Sequence, residues 1–196
     1  MRPMALVNKH LAVNGSTTMV HGTHTNAEDL ERYLRAGGRV CLCPLTEANL
    51  GDGLPDLSAM LSAGGRIAIG TDSNARISML EEMRMLEYGH RLKSQSRGVV
   101  RDDQGRVAER LLQCATVDGA ASLGVDAGTI ETGSHADFLT IDLGHPSLEG
   151  WDESTLPAAM VFGACDTIVA ETCVGGVWSK GASDSREVAS ESHQHR

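Results

Sequence analysis

The sequence predicts an α/β protein: three parallel β-α units that form an arc of a larger barrel, followed by a smaller β module. Three observations carry this. Strand-like and helix-like patterns alternate through the first hundred residues, with a helix after every strand, which implies parallel strands with covered faces. Three successive strand ends are loaded with polar residues, as at the rim of an active site. After Gly124 the pattern changes to short β-rich runs separated by glycine turns. The division expected is a barrel part over 1–124, a small composite β domain over 125–180 and a disordered tail over 181–196.

Pro3 to Leu11 reads as the end of a helix. Strand Thr17–Val20 follows and runs into His21. A helix from Asn26 to Ala36 begins at a good N-cap with acids in its first turn and stops at Gly37-Gly38. Strand Val40–Cys43 leads into a polar loop, Leu45 to Gly53. A helix near Pro55–Ala63 has proline at its first turn and Gly64-Gly65 after its end. Strand Ile67–Ile69 then runs into Asp72. Helix Met79–Leu92 places Leu80, Met83 and Leu86 on one stripe, with acids and arginines on the other. Gly98–Gly105 reads as a charged loop and Val107–Leu123 as one or two helices. In the β module, Asp137–Leu143 is the first strand. Asp166–Ala170 and Thr172–Trp178 are two more, with Gly175-Gly176 as a hairpin turn. From Gly181 the chain is Ser, Glu and His with few apolar residues.

Composition narrows the function. The 196 residues carry a formal charge of −9, with no basic stripe, which argues against a nucleic-acid partner. No apolar run approaches the roughly 20 residues of a membrane span. Apolar residues at 41%, aromatics at 3% and 22 glycines suit an α/β protein with many tight loops. Five cysteines without framework spacing read as reduced thiols, so the cytoplasm is the expected compartment. Cys41-Leu-Cys43 alternates within a strand and reads as half-buried packing.

Asp72, in Gly65-Arg-Ile-Ala-Ile-Gly-Thr-Asp-Ser-Asn74, is the foremost candidate. At a strand end an ionised carboxylate can act as a hard metal ligand, and on spacing alone a loop or helix cap is equally open. His21 and His24 are three apart and point to opposite faces of an extended chain, so one ion does not take both. His21 can serve as general base or partner of a bound water, with a structural role the alternative, and His24 caps or packs. The Thr46-Glu-Ala-Asn-Leu-Gly-Asp-Gly53 loop reads either as a polar-substrate binder or as a solvated turn. Glu81-Glu82 reads as a charged helix face and dipole partner. His193-Gln-His195 has metal-pair spacing and falls in the tail. No P-loop, dinucleotide fingerprint, Cys-x-x-Cys or Ser-centred elbow is present.

Val20-His-Gly-Thr-His24, Cys43-Pro-Leu-Thr-Glu-Ala-Asn-Leu-Gly-Asp-Gly53, Gly70-Thr-Asp-Ser73 and Glu82-Met-Arg-Met-Leu-Glu-Tyr-Gly89 resemble the amidohydrolase superfamily, and within it the formimidoylglutamate deiminases. Gly128-Thr-Ile-Glu-Thr-Gly-Ser-His-Ala-Asp137 looks like the return of such a chain into its small β-sandwich. The resemblance implies a TIM-type (β/α)8 barrel whose sixth, seventh and eighth strands lie here. It implies one divalent metal, usually zinc, that activates water against a formimino carbon and releases ammonia. Asp72 matches the last-strand aspartate, metal ligand and proton shuttle; His21 matches the sixth-strand histidine that activates the water.

The family's first-strand His-x-His, fifth-strand histidine, following acid and substrate-binding arginines have no match here, and Asn74 stands where many relatives carry His. The chain therefore reads as the C-terminal part of such an enzyme, inactive alone. Its expected partner is a small formimino amino acid, with a homodimer as family habit. Two alternatives stand beside it: an amidohydrolase of nucleobase, triazine or imidazolone type, and a non-catalytic half-barrel that binds a partner through exposed apolar edges.

Overall fold

Residues 2–180 are described by a computed structural model. Helix α1 (Pro3–His10) leads to strand β1 (Thr18–Val20), then helix α2 (Ala27–Arg35) and strand β2 (Arg39–Leu42). Asn26 caps α2 as its spacing predicts, its side-chain oxygen accepting from the Asp29 backbone N–H at 3.1 Å. Helices α3 (Pro44–Leu50) and α4 (Leu57–Ser62) precede strand β3 (Ile67–Ile69) and the long helix α5 (Met79–Ser94). Strands β1, β2 and β3 lie side by side in that order, all parallel, with Val20 opposite Cys41 and Leu42 opposite Ile69. This register brings the three C-terminal strand ends to one edge.

Packing fixes the sheet. Ile67, Ala68 and Ile69 are all buried, as a parallel strand covered on both faces requires. Tyr33 of α2 is buried with its hydroxyl 2.9 Å from the Thr17 carbonyl and 3.0 Å from that of Arg39, tying β1 to β2. A Cβ on Gly38 would lie 2.4 Å from that ring, so the glycine permits the approach. Helices α6 (Val107–Ala115) and α7 (Val117–Leu123) pack with α5 against β3. Leu148, Val161, Ala164 and Ile168, from the later stretch, belong to the same core as Val40, Leu42, Ile67, Leu86 and Leu111.

Three expectations are corrected. The polar loop after β2 is mostly helix: Pro44 opens α3, and Gly51 at φ 72° closes it in the left-handed region. The polar side of α5 is not a solvated face, since Glu82 and Glu87 are fully buried there. Paired carboxylates among backbone donors take the place of solvent. The second sheet is β4 (Phe138–Ile141), β5 (Val169–Val174) and β6 (Val177–Lys180), antiparallel in that order. Asp166–Ile168 is a 3₁₀ turn, so β5 starts three residues late. Gly175 and Gly176, at φ 56° and 80°, make the expected hairpin turn. What forms is one sheet; among the described residues no second layer completes a sandwich, nor do further strands close the first sheet into a barrel. The expected tail, with His193 and His195, lies outside the described residues.

His90, on the buried side of α5, gives the fold a pH dependence. Burial, with help from nearby Lys93, lowers its pKa to about 4. An unfolded histidine takes up its proton near pH 6.5. Between those values the unfolded chain holds more protons, so stability falls as pH drops through the window, by up to about 3 kcal/mol. Glu82, whose pKa burial raises, acts in the opposite sense. Urea unfolding at pH 7 and pH 4.5, compared between the native chain and His90→Gln, isolates the histidine. An unchanged slope in the variant would sink the assignment.

Candidate active site

His21 follows β1 and continues its ladder, its backbone N–H donating to the Cys41 carbonyl at 2.8 Å. It then turns sharply, with φ 65°, and Gly22 follows at φ 69°. Asp72, two residues after the last β3 ladder bond from the Gly70 N–H to Leu42, has φ 44°. Among the described non-glycine residues only His21, Asp72 and Gln95 take positive φ, and Gln95 merely caps a helix. Such backbone persists where surrounding structure holds it, and it collects at functional sites. Both sequence candidates therefore sit on sharp turns at the ends of β1 and β3, the two strands that flank β2.

The turns bring their side chains together. His21 Nε2 lies 3.7 Å from Asp72 Oδ2, too far for a hydrogen bond. The other ring nitrogen, Nδ1, is 3.1 Å from Glu47 Oε1. Glu47 is buried, and the same oxygen accepts the Cys43 backbone N–H at 3.0 Å. That bond reaches back to the N-cap residue of α3. An Nδ1–H donated to this carboxylate leaves the Nε2 lone pair facing Asp72. Thr46 Oγ1 donates to the Thr71 carbonyl at 3.0 Å and ties α3 to the turn bearing Asp72. The Leu45 N–H donates to Glu82 Oε2 at 2.8 Å, which anchors α3 on α5.

Cys43 was expected as packing on a strand. It is buried and stands one residue past β2, and its sulfur joins a nitrogen of His21 and an oxygen of Asp72 with all three atoms within 4.8 Å of one another. The Cys41 and Cys43 sulfurs lie 3.1 and 3.5 Å from where a Cβ on Gly70 would be, so glycine lets the end of β3 approach both. Cys43 keeps its proton: its hydrogen bond to Cys41 and its burial both raise its pKa, while the same bond lowers that of Cys41. His24 stays outside the group, as its spacing implied, and is exposed; Asn26 is the cap. Asn49 is exposed on α3. A cleft of about 480 Å³ beside the imidazole is lined by Met4, Met19, His21, Thr23 and Asp52 among others.

The sequence reading missed Glu47 as the partner of His21. The available signal was Pro44, a first-turn proline followed three residues later by an acid. Nitrogen, sulfur and carboxylate donors within this spacing suit a borderline divalent ion such as zinc.

Residues 6–179 match the family described as "Amidohydrolase family", and the chain belongs to it. The chain is 36% identical over 178 residues to formimidoylglutamate deiminase of Pseudomonas aeruginosa, covering 90% of this chain and 39% of that protein. It is 35% identical over 150 residues to 5-methylthioadenosine/S-adenosylhomocysteine deaminase of Haloarcula marismortui, covering 75% of this chain and 33% of that one. The crystal structure of an amidohydrolase from Brucella melitensis superposes with a TM-score of 0.81 at 30% identity, over 97% of this chain and 43% of the other. An adenosine deaminase from Xanthomonas campestris with bound zinc shares the fold at a TM-score of 0.79 and 23% identity, over 99% and 45%. The chain thus spans roughly two fifths of the length of these relatives.

Proposed function

We propose that this chain is the C-terminal catalytic portion of a metal-dependent deiminase that converts N-formimino-L-glutamate and water into N-formyl-L-glutamate and ammonia. The observation that carries it is the meeting of His21 and Asp72, at 3.7 Å, on two sharp turns at the mouth of the parallel sheet. At equal coverage of this chain, 90%, the likeness to the deiminase is 36% identical against 29% for a methylthioadenosine enzyme, and this favours the formimino substrate. In this reading residues 1–124 supply the last three β-α units of a barrel, 125–180 its small β domain and 181–196 a tail. The reduced cysteines favour the cytoplasm, and a homodimer is the assembly to test.

A bound divalent ion, zinc being the usual one, supplies Lewis acidity that brings the pKa of water near neutrality. Asp72 would be its ligand from this chain. The remaining chemistry is proton traffic. Attack of water on the formimino carbon needs one proton removed and another delivered to the departing nitrogen. Asp72 Oδ2, half-exposed on the open side, takes the first proton and returns it. His21 holds the water through Nε2, its tautomer set by Glu47. The donors expected from the first and fifth strands have no counterpart in the matched region, so the 196-residue chain releases no ammonia from formiminoglutamate.

Two assays test this. Turnover by the purified chain with zinc would refute its inactivity alone. In the second, residues 6–179 replace the matching segment of the Pseudomonas deiminase. A soluble, zinc-containing chimaera that deaminates formiminoglutamate supports the reading. One that acts on 5-methylthioadenosine or a triazine instead would establish the alternative substrate class.

A further inference from the structure

We infer that Glu82 is a positioning residue: from α5 it holds the first turn of α3, and through Glu47 and Thr46 of that turn it sets both His21 and the turn bearing Asp72. Its effect on rate rests on the deiminase reading, while its effect on the His21 ring does not.

Helix α3 has seven residues, too few to persist by its own hydrogen bonds, so its place depends on what holds it. Two side chains of its first turn reach the site. Glu47 Oε1 lies 3.1 Å from His21 Nδ1, and Thr46 Oγ1 donates to the Thr71 carbonyl, one residue before Asp72, at 3.0 Å. Both residues are buried, so neither bond competes freely with solvent. One helical turn, standing on the end of β2, thus fixes the ring at the end of β1 and the turn after β3. A displacement of that turn reaches both candidates at once.

Glu82 holds this turn. The first N–H groups of a helix have no acceptor within it, and Pro44 has no N–H, so Leu45 offers the first free donor of α3. It donates to Glu82 Oε2 at 2.8 Å. Glu82 is fully buried, and among the described residues this is its one side-chain hydrogen bond, because Oε1 has no partner. The contrast with Glu87 on the same helix is informative, since that acid accepts four bonds. Burial raises the pKa of Glu82, as do the nearby charges of Glu47, Asp72 and Glu81, and the Leu45 N–H opposes them. A buried carboxyl with half its hydrogen bonding unmet contributes little to stability. What it does supply is a fixed anchor for the turn that carries Thr46 and Glu47.

Two substitutions separate anchoring from charge: Glu82→Met keeps the side-chain length and removes the acceptor, and Glu82→Gln keeps an acceptor and removes the charge. Nitrogen-15 NMR of the full 196-residue chain reads the His21 tautomer, its signals assigned by their loss in His21→Gln. Spectra are taken well above the ordinary histidine pKa of about 6.5, where the ring is neutral. The native ring is expected to carry its proton on Nδ1. In Glu82→Met the Nε2-protonated form appears, and in Glu82→Gln the native tautomer is kept. Glu87→Gln is the control, lowering stability from the same helix and leaving the tautomer unchanged. In the deiminase chimaera, Glu82→Met lowers kcat by about 10²-fold, the effect of a small misplacement from outside the chemistry, with KM close to native. Should Glu82→Met not fold, Glu82→Asp takes its place, keeping a carboxyl one methylene short of Leu45. A native ring protonated on Nε2, an unchanged tautomer in Glu82→Met, an equal shift in Glu82→Gln or Glu87→Gln, or a native kcat for Glu82→Met in an active chimaera would each overturn the proposal. A chimaera without formimino activity overturns the deiminase reading instead, and the tautomer still decides the role of Glu82.

Discussion

Changing Asp72 to Asn in the chimaeric deiminase is expected to lower turnover by about 10²–10⁴-fold, the contribution of a positioned proton-transfer group. The substitution keeps the side-chain volume and removes the charge and the basic oxygen. The positive φ of 44° at Asp72 is no obstacle, because asparagine tolerates that region at least as well as aspartate. A fall in activity therefore reports chemistry and not backbone collapse. Two readouts separate the roles of Asp72. If it only ligates the ion, saturating zinc restores turnover. If it also moves the proton, kcat stays low at full metal occupancy. Full activity in Asp72→Asn would remove the carboxylate from the mechanism altogether.

Replacing Glu87 with alanine is expected to destabilise the fold by about 3–5 kcal/mol, the range for breaking a buried ionic network by removing one partner. Glu87 is fully buried on α5 and accepts four hydrogen bonds. The backbone N–H groups of Gly98, Val99 and Val100 donate to it at 3.0, 3.1 and 2.8 Å, and Arg91 Nε at 2.7 Å. Alanine removes the acceptor from all four donors, and an unpaired buried donor such as the Val100 N–H costs about 1–3 kcal/mol before relaxation. The segment it holds leads into α6, which packs on β3, so the loss reaches the sheet that carries the site. Against a typical total of about 5–15 kcal/mol this is a large fraction. Equilibrium urea unfolding checks it, with Glu87→Gln expected in between because one amide oxygen still accepts. A loss below about 1 kcal/mol in Glu87→Ala would show that water replaces the carboxylate.

Much of this architecture follows from local pattern. The alternation of β-branched runs with capped, amphipathic segments gave the order of strands and helices. Asn26 and the glycine stops are local devices that act over three or four residues, so their effects can be read from neighbours in the chain. Asp72 and His21 stood out as candidates for the same reason: His21 follows directly on β1, and Asp72 comes three residues after the end of β3.

Tertiary structure alone decided which side chains meet. Whether Glu47 faces solvent or His21, and whether Cys43 packs or points at Asp72, depends on the parallel register that sets β1, β2 and β3 edge to edge. That register joins residues 26 to 51 positions apart in the chain, beyond the reach of any local signal. The buried carboxylates Glu82 and Glu87 tell the same story. A charged residue on a helix reads as a solvated face until the fold delivers backbone donors to it, and the first turn of α3 and the loop after α5 do so here. The sequence by itself determined the elements and the chemical types at their ends; the distances between them, on which metal and proton chemistry depend, arose only when the sheet closed them together.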